Sequence, residues 1–134
     1  MKKYLVVLLM FLTSCSSSEI KFFPESGNLK NARAGTFYQQ DIVLTFQKSG
    51  EVIALSSNNF RAKVSPDNSG LELEPNFSGC GIISAERCND SNKAVIKGIP
   101  KTKGMITVEI VAKTYASMYS KSQVFVKQYQ ISVD

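Results

Sequence analysis

From residue 37 to residue 133 the apolar side chains recur at every second position, in segments too short and too strictly alternating for helices. Alternation of period two puts one face of an extended strand on a core and the other in water. Read this way, Phe37, Ile42, Leu44 and Phe46 share one face, with Asp41, Val43, Thr45 and Gln47 on the other. Phe60, Ala62 and Val64 repeat the pattern, and Leu71 and Leu73 alternate with Glu72 and Glu74. Ile106, Val108, Ile110 and Ala112 alternate with Thr107, Glu109 and Val111, and Phe125, Tyr129, Ile131 and Val133 close the series with Lys127 as the exception. Turn formers separate the segments at intervals of about ten residues: Ser49-Gly50, Ser65 to Gly70, Gly79 to Asn92, and Gly98 to Gly104. No stretch sustains a capped helical period. Short β-branched and aromatic strands at this spacing predict an all-β, antiparallel β-sandwich.

The first fifteen residues follow a different logic. Met1 to Lys3 are positive, Tyr4 to Leu12 are almost uninterruptedly apolar, and Thr13-Ser14-Cys15 supply small residues. This is the pattern of an export signal, and its apolar run is well short of the ~20 residues a permanent membrane helix needs. Leu12-Thr13-Ser14-Cys15 resembles the lipobox of bacterial lipoproteins. That resemblance implies cleavage before Cys15, diacylglycerol on its sulfur and acylation of the new amino terminus. Ser16 and Ser17 stand where an aspartate signals inner-membrane retention in enteric lipoproteins. For a Gram-negative host the resemblance therefore implies an outer-membrane anchor facing the periplasm. The expected organisation is a signal over 1–14, a lipidated cysteine and polar tether over 15–19, and one domain over 20–134. The alternative is an ordinary signal peptide with an incidental cysteine.

Lipidation of Cys15 leaves Cys80 and Cys88 as an even pair in an oxidising compartment, which predicts a disulfide. Its short loop makes the bond worth about 2.5 kcal/mol by chain entropy. The redox alternative lacks the CxxC spacing of an active dithiol. The net charge of +5 includes Lys2 and Lys3, and no run of five like charges occurs. Such a balance does not point to nucleic acid. Lys93, Lys97, Lys101 and Lys103 read as the solvent face of a strand and turn.

Four further signatures appear in order: Ala34-Gly35-Thr36-Phe37-Tyr38, Gly70-Leu71-Glu72-Leu73, Val95-Ile96-Lys97-Gly98-Ile99-Pro100 with Gly104, and Gln128-Tyr129-Gln130-Ile131-Ser132-Val133. Together they resemble bacterial immunoglobulin-like domains related to cadherin and dystroglycan modules. The resemblance implies an immunoglobulin-like sandwich over about a hundred residues. Two departures stand out: Asn76 to Asn92 looks like an insertion, and Ser69 occupies the position of a proline before Gly-Leu.

Histidine and tryptophan are absent, which removes the commonest general base and metal ligand. Glu72 and Glu74 share a strand face at about 6.8 Å between Cα atoms, a spacing glycoside hydrolysis can use, but an exposed polar face is the simpler reading. Asp67-Asn68 and Asn89-Asp90-Ser91-Asn92 offer oxygens for calcium, yet hard-cation sites assemble several carboxylates. No cofactor or metal is expected, and no catalysis. Recognition loops favour tyrosine, methionine and serine. The segment Lys113 to Lys121, with Tyr115, Met118 and Tyr119, has that composition. The cysteine-stapled segment, with Phe77 and Ile83, is a second candidate surface, because a staple lowers the entropy cost of binding. Nothing in the sequence requires the two to lie together. The function these features predict is a membrane-anchored module binding an envelope protein or glycan. The rival is an inhibitor or immunity lipoprotein that blocks an envelope-attacking enzyme such as a cell-wall hydrolase.

Overall fold

The computed structural model describes residues 20–46, 58–75, 93–114, 116 and 121–134. Seven strands form: β1 (Ile20–Phe23), β2 (Tyr38–Phe46), β3 (Phe60–Ser65), β4 (Leu71–Pro75), β5 (Lys93–Gly98), β6 (Gly104–Lys113) and β7 (Val124–Val133). All strand pairs are antiparallel, and no helix occurs among the described residues. One sheet has the order β1-β2-β5-β4 and the other β3-β6-β7. With strands lettered A to G along the chain, these are ABED and CFG, the order of a constant-type immunoglobulin domain. The fold is an antiparallel immunoglobulin-like β-sandwich.

Between the sheets lies the core that the alternation predicts. Ile106, Val108, Ile110 and Ala112 of central strand β6 are buried, facing Ile42, Leu44, Ala94 and Ile96 of the other sheet. Full burial of one such aliphatic side chain contributes about 1.5–3 kcal/mol. The first strand departs from the sequence reading at one position. Phe37 lies before β2 and is 61% exposed, while Tyr38 is 4% exposed and takes the inward place. The cause is parity: Tyr38, Ile42 and Leu44 are an even number of residues apart, so the pleat sends Phe37 to the opposite face. Ala62, expected inward, is also exposed, and in β3 it is Phe60 that seals the core.

After β1 the chain leaves the first sheet and runs parallel to β7, with bridges Asn28↔Gln130 and Ala32↔Val133. Its backbone groups are paired along the way: Leu29 N–H to Gln130 O at 2.9 Å and Ala32 N–H to Ser132 O at 2.8 Å. Two buried tyrosines hold this crossing segment from inside. The Tyr38 hydroxyl donates to Lys30 O at 3.1 Å, and the Tyr129 hydroxyl donates to Pro24 O at 2.8 Å. Lys127 explains its own exception to the alternation, because its stem lies along the sandwich edge while Nζ donates to Glu25 O.

Where β5 leaves one sheet for the other, two turns interlock. Gly70 (φ 87°) and Gly98 (φ 140°) lie in the left-handed region, and Ile99 N–H donates to Gly70 O at 3.1 Å. A Cβ on Gly98 would sit 2.1 Å from Gly70 O, and one on Gly70 would sit 2.1 Å from Ile99 O. Only glycine permits such backbone approach. Ser69 is buried beside them and does with its side chain what a proline cannot: its Oγ accepts Leu71 N–H at 3.2 Å.

Candidate interaction surfaces at the two ends

The strand directions gather the connections at two opposite ends. β2 ends and β3 begins at one end, as β4 ends and β5 begins, and as β6 ends and β7 begins. Ile20 opens β1 at this same end, paired with Phe46. The other end carries the 24–37 crossing, the 66–70 and 99–103 turns, and Asp134.

The connections that carry the sequence-predicted residues start from and return to strand ends at the first end. Tyr115, Met118 and Tyr119 belong to the β6–β7 connection, and Phe77, Cys80, Ile83 and Cys88 to the β4–β5 connection; these residues, and Cys15, lie outside the described residues. The described strand ends nevertheless answer a question the sequence left open, because both connections depart from and return to one end of the sandwich. The base of the β6–β7 hairpin is firmly built. Thr114 N–H donates to Gln123 O at 2.9 Å, Thr114 Oγ1 accepts Gln123 N–H at 2.9 Å, and Ser122 Oγ donates to Thr114 O at 2.8 Å. Three hydrogen bonds thus close the neck of this connection.

The second end combines exposed apolar groups with cations. Phe37 and Ile99, the latter 51% exposed, project from the ends of β2 and β5. An open cleft of about 340 Å³ is lined in part by Lys30, Arg33, Thr36 and Phe37. The turn beside it is tied to the rest of the end, where Gly35 N–H donates to Pro100 O at 2.8 Å and Ala34 N–H to Asp134 O at 3.0 Å. This basic, aromatic cleft is not legible in the sequence, because Lys30 and Arg33 lie in an irregular segment with no periodic pattern.

Glu72 and Glu74 point to solvent from edge strand β4. Glu74 Oε2 lies 2.6 Å from Lys97 Nζ. This hydrogen bond holds the Lys97 ammonium above its ordinary range, with the charges of Glu74 and Glu72 adding to it. The two carboxylates therefore form a cross-strand charge ladder on an open face. Glu72→Gln and Glu74→Gln are each expected to shift stability by only a small fraction of the total in urea melts, as exposed ion pairs do. A loss several times larger would mean that the pair is buried against something. Among the described residues no group of three or more His, Cys, Asp or Glu side chains could hold a metal ion, and no helix is long and apolar enough to cross a membrane.

No protein-family model matches the chain, and no curated protein matches it. Among solved structures it is similar to the crystal structure of the S-layer protein rSbsC, at 15% identity and a TM-score of 0.49 over 88% of this chain and 13% of that one. It is also similar to domains 4 and 5 of the S-layer protein SbsC, at 14% identity and a TM-score of 0.49 over 87% of this chain and 53% of that one. The chain thus spans about half of the second structure and a small part of the first. The fold assignment rests on strand order and pairing in the chain itself.

Proposed function

We propose that the chain is a lipid-anchored, non-catalytic module of the cell envelope that binds a protein or glycan there. The observation that carries this reading is the junction of anchor and fold. Leu12-Thr13-Ser14-Cys15 is followed by only Ser16 to Glu19 before Ile20 enters β1. Four extended residues reach at most about 14 Å, so the sandwich is held against the membrane that takes the lipid. Several acyl chains on one residue make that attachment stable, each buried methylene contributing about 0.8 kcal/mol. The Ser16-Ser17 pair favours the outer membrane, with the domain facing the periplasm. A Cys80–Cys88 disulfide would stiffen the β4–β5 connection for recognition.

Capture from crosslinked envelopes tests the binding role. The full chain is expected to retain an envelope protein or glycan. Tyr115→Ala with Tyr119→Ala, or Phe77→Ala with Ile83→Ala, is expected to weaken that binding by about 30-fold or more, the size of a hot-spot truncation of about 2 kcal/mol. Normal binding by both double variants, with loss on changes to the open sheet faces, would move the interface to a sheet. Stable capture of a single lytic enzyme would replace the module reading with the inhibitor reading.

A further inference from the structure

We infer that the end of the sandwich bearing Ile20 docks directly on the anionic headgroups of the bilayer, through Arg61, Lys113 and Lys121 around Val124 and Val126. The inference rests on the lipid anchor at Cys15 proposed above and adds an orientation to it.

Three observations converge. The first is register: Arg61 pairs with Val111, which pairs with Val126, and Lys113 pairs with Val124, so these residues occupy adjacent rows on the outer face of the β3-β6-β7 sheet. Val124 and Val126 are 56% and 59% exposed, and Arg61, Lys113 and Lys121 are exposed with them. The second is charge. Lys21 and Lys93 stand at the same end on the other sheet, where Glu25 lines a cleft with Ile20, Lys21 and Lys127, whereas Asp41, Glu74 and Glu109 lie on rows nearer the middle. Glu19 in the tether and Glu51, Glu86 and Asp90 in the connections, set against Lys48 and Arg87, reduce this basic excess without reversing it. The far end holds Lys30, Arg33, Lys101 and Lys103 but sets Asp67 and Asp134 among them. The third is chain path, because the tether enters at Ile20 and brings this end to the bilayer, so that a partner bound by the β4–β5 and β6–β7 connections is one held at the membrane surface, while the far end points away. Cations beside exposed valines match a surface of phosphate groups over hydrocarbon, and membrane proximity makes each cation's attraction effective within a Debye length.

Amine footprinting tests the orientation. The lipidated mature chain is reconstituted into vesicles of phosphatidylcholine alone and of phosphatidylcholine with phosphatidylglycerol, then labelled with an amine-reactive reagent and mapped by mass spectrometry. On the anionic vesicles, labelling of Lys113 and Lys121 is expected to fall by at least about threefold and to recover at high salt, while Lys101 and Lys103 label as before. Arg61→Glu with Lys113→Glu should abolish the protection at Lys121, and Lys101→Glu with Lys103→Glu should leave it. Equal labelling of both ends, or protection of Lys101 and Lys103 instead, overturns the inference. The intact mass of the same preparation reads the anchor separately. If it shows no lipid, the anchor reading falls, and salt-sensitive sedimentation of the Cys15→Ser chain with anionic but not neutral vesicles decides docking by itself.

Discussion

Gly98→Ala is expected to remove a large part of the domain's stability, about 3–6 kcal/mol against a usual total of about 5–15. Two effects add. Gly98 has φ 140°, where an L side chain is strained, and the new Cβ would lie 2.1 Å from Gly70 O. That oxygen belongs to the backbone of the neighbouring turn and accepts Ile99 N–H, so it cannot swing aside as a flexible side chain would. Relief requires separating β4 from β5 at the point where the chain crosses between sheets. Gly70→Ala meets Ile99 O in the same way and should fall similarly. Gly35→Ala is the control: it shares a positive φ of 76° but meets nothing within 4 Å, so it should lose only about 1 kcal/mol. Urea melts of the three variants separate clash from backbone preference. Equal losses at Gly35 and Gly98 would show that the turns do not interlock.

Raising the pH from 10 to 12 is expected to destabilise the fold by about 4 kcal/mol, through Tyr38 and Tyr129. Burial pushes both phenols up to about 12 from an ordinary value near 10. A folded-state value above the unfolded one means that the native state favours the neutral form. The contribution is therefore complete below pH 10 and is lost as the pH rises through 12, at about 1.4 kcal/mol per unit for each group. Ionisation also replaces the hydroxyl donors to Lys30 O and Pro24 O with oxyanions facing carbonyl oxygens. The crossing segment of residues 24–37 should detach first. Tyrosinate absorbance should show two phenols titrating together with loss of the fold near pH 12. Tyr129→Phe should lose about 1 kcal/mol at neutral pH, yet keep more of its stability at pH 11 than the parent. Titration of every phenol near pH 10 in a fully folded chain would contradict the burial of Tyr38 and Tyr129.

The glycines and the long strands are readable for the same reason: each reports a backbone requirement that few residues can meet. Gly35, Gly70, Gly98 and Gly104, picked out by the first three signatures, are the four described glycines with positive φ. β6 and β7 show their inward faces plainly because both sheets press on every second residue. Phe37 misleads because a large aromatic beside a strand looks like core until the pleat fixes its parity. β1 and the parallel run along β7 give no signal, since four residues are too few for a period and the crossing is held by tertiary bonds from Tyr38 and Tyr129. The gathering of the β2–β3, β4–β5 and β6–β7 connections at one end comes from strand order, which no local pattern encodes. The basic character of each end is likewise dispersed along the chain and appears only once register brings Arg61, Lys113 and Val126 together.

We propose that one sulfur, that of Cys15, joins this sandwich to a membrane, and the intact mass and amino-terminal sequence of the protein recovered from membranes test that attachment. The expected product is a chain that begins at Cys15 and carries a diacylglycerol thioether with an acylated amino terminus, and a Cys15→Ser variant should lose both lipid and membrane attachment. A mature chain that begins elsewhere, or an unmodified Cys15 in protein that still fractionates with membranes, would contradict it.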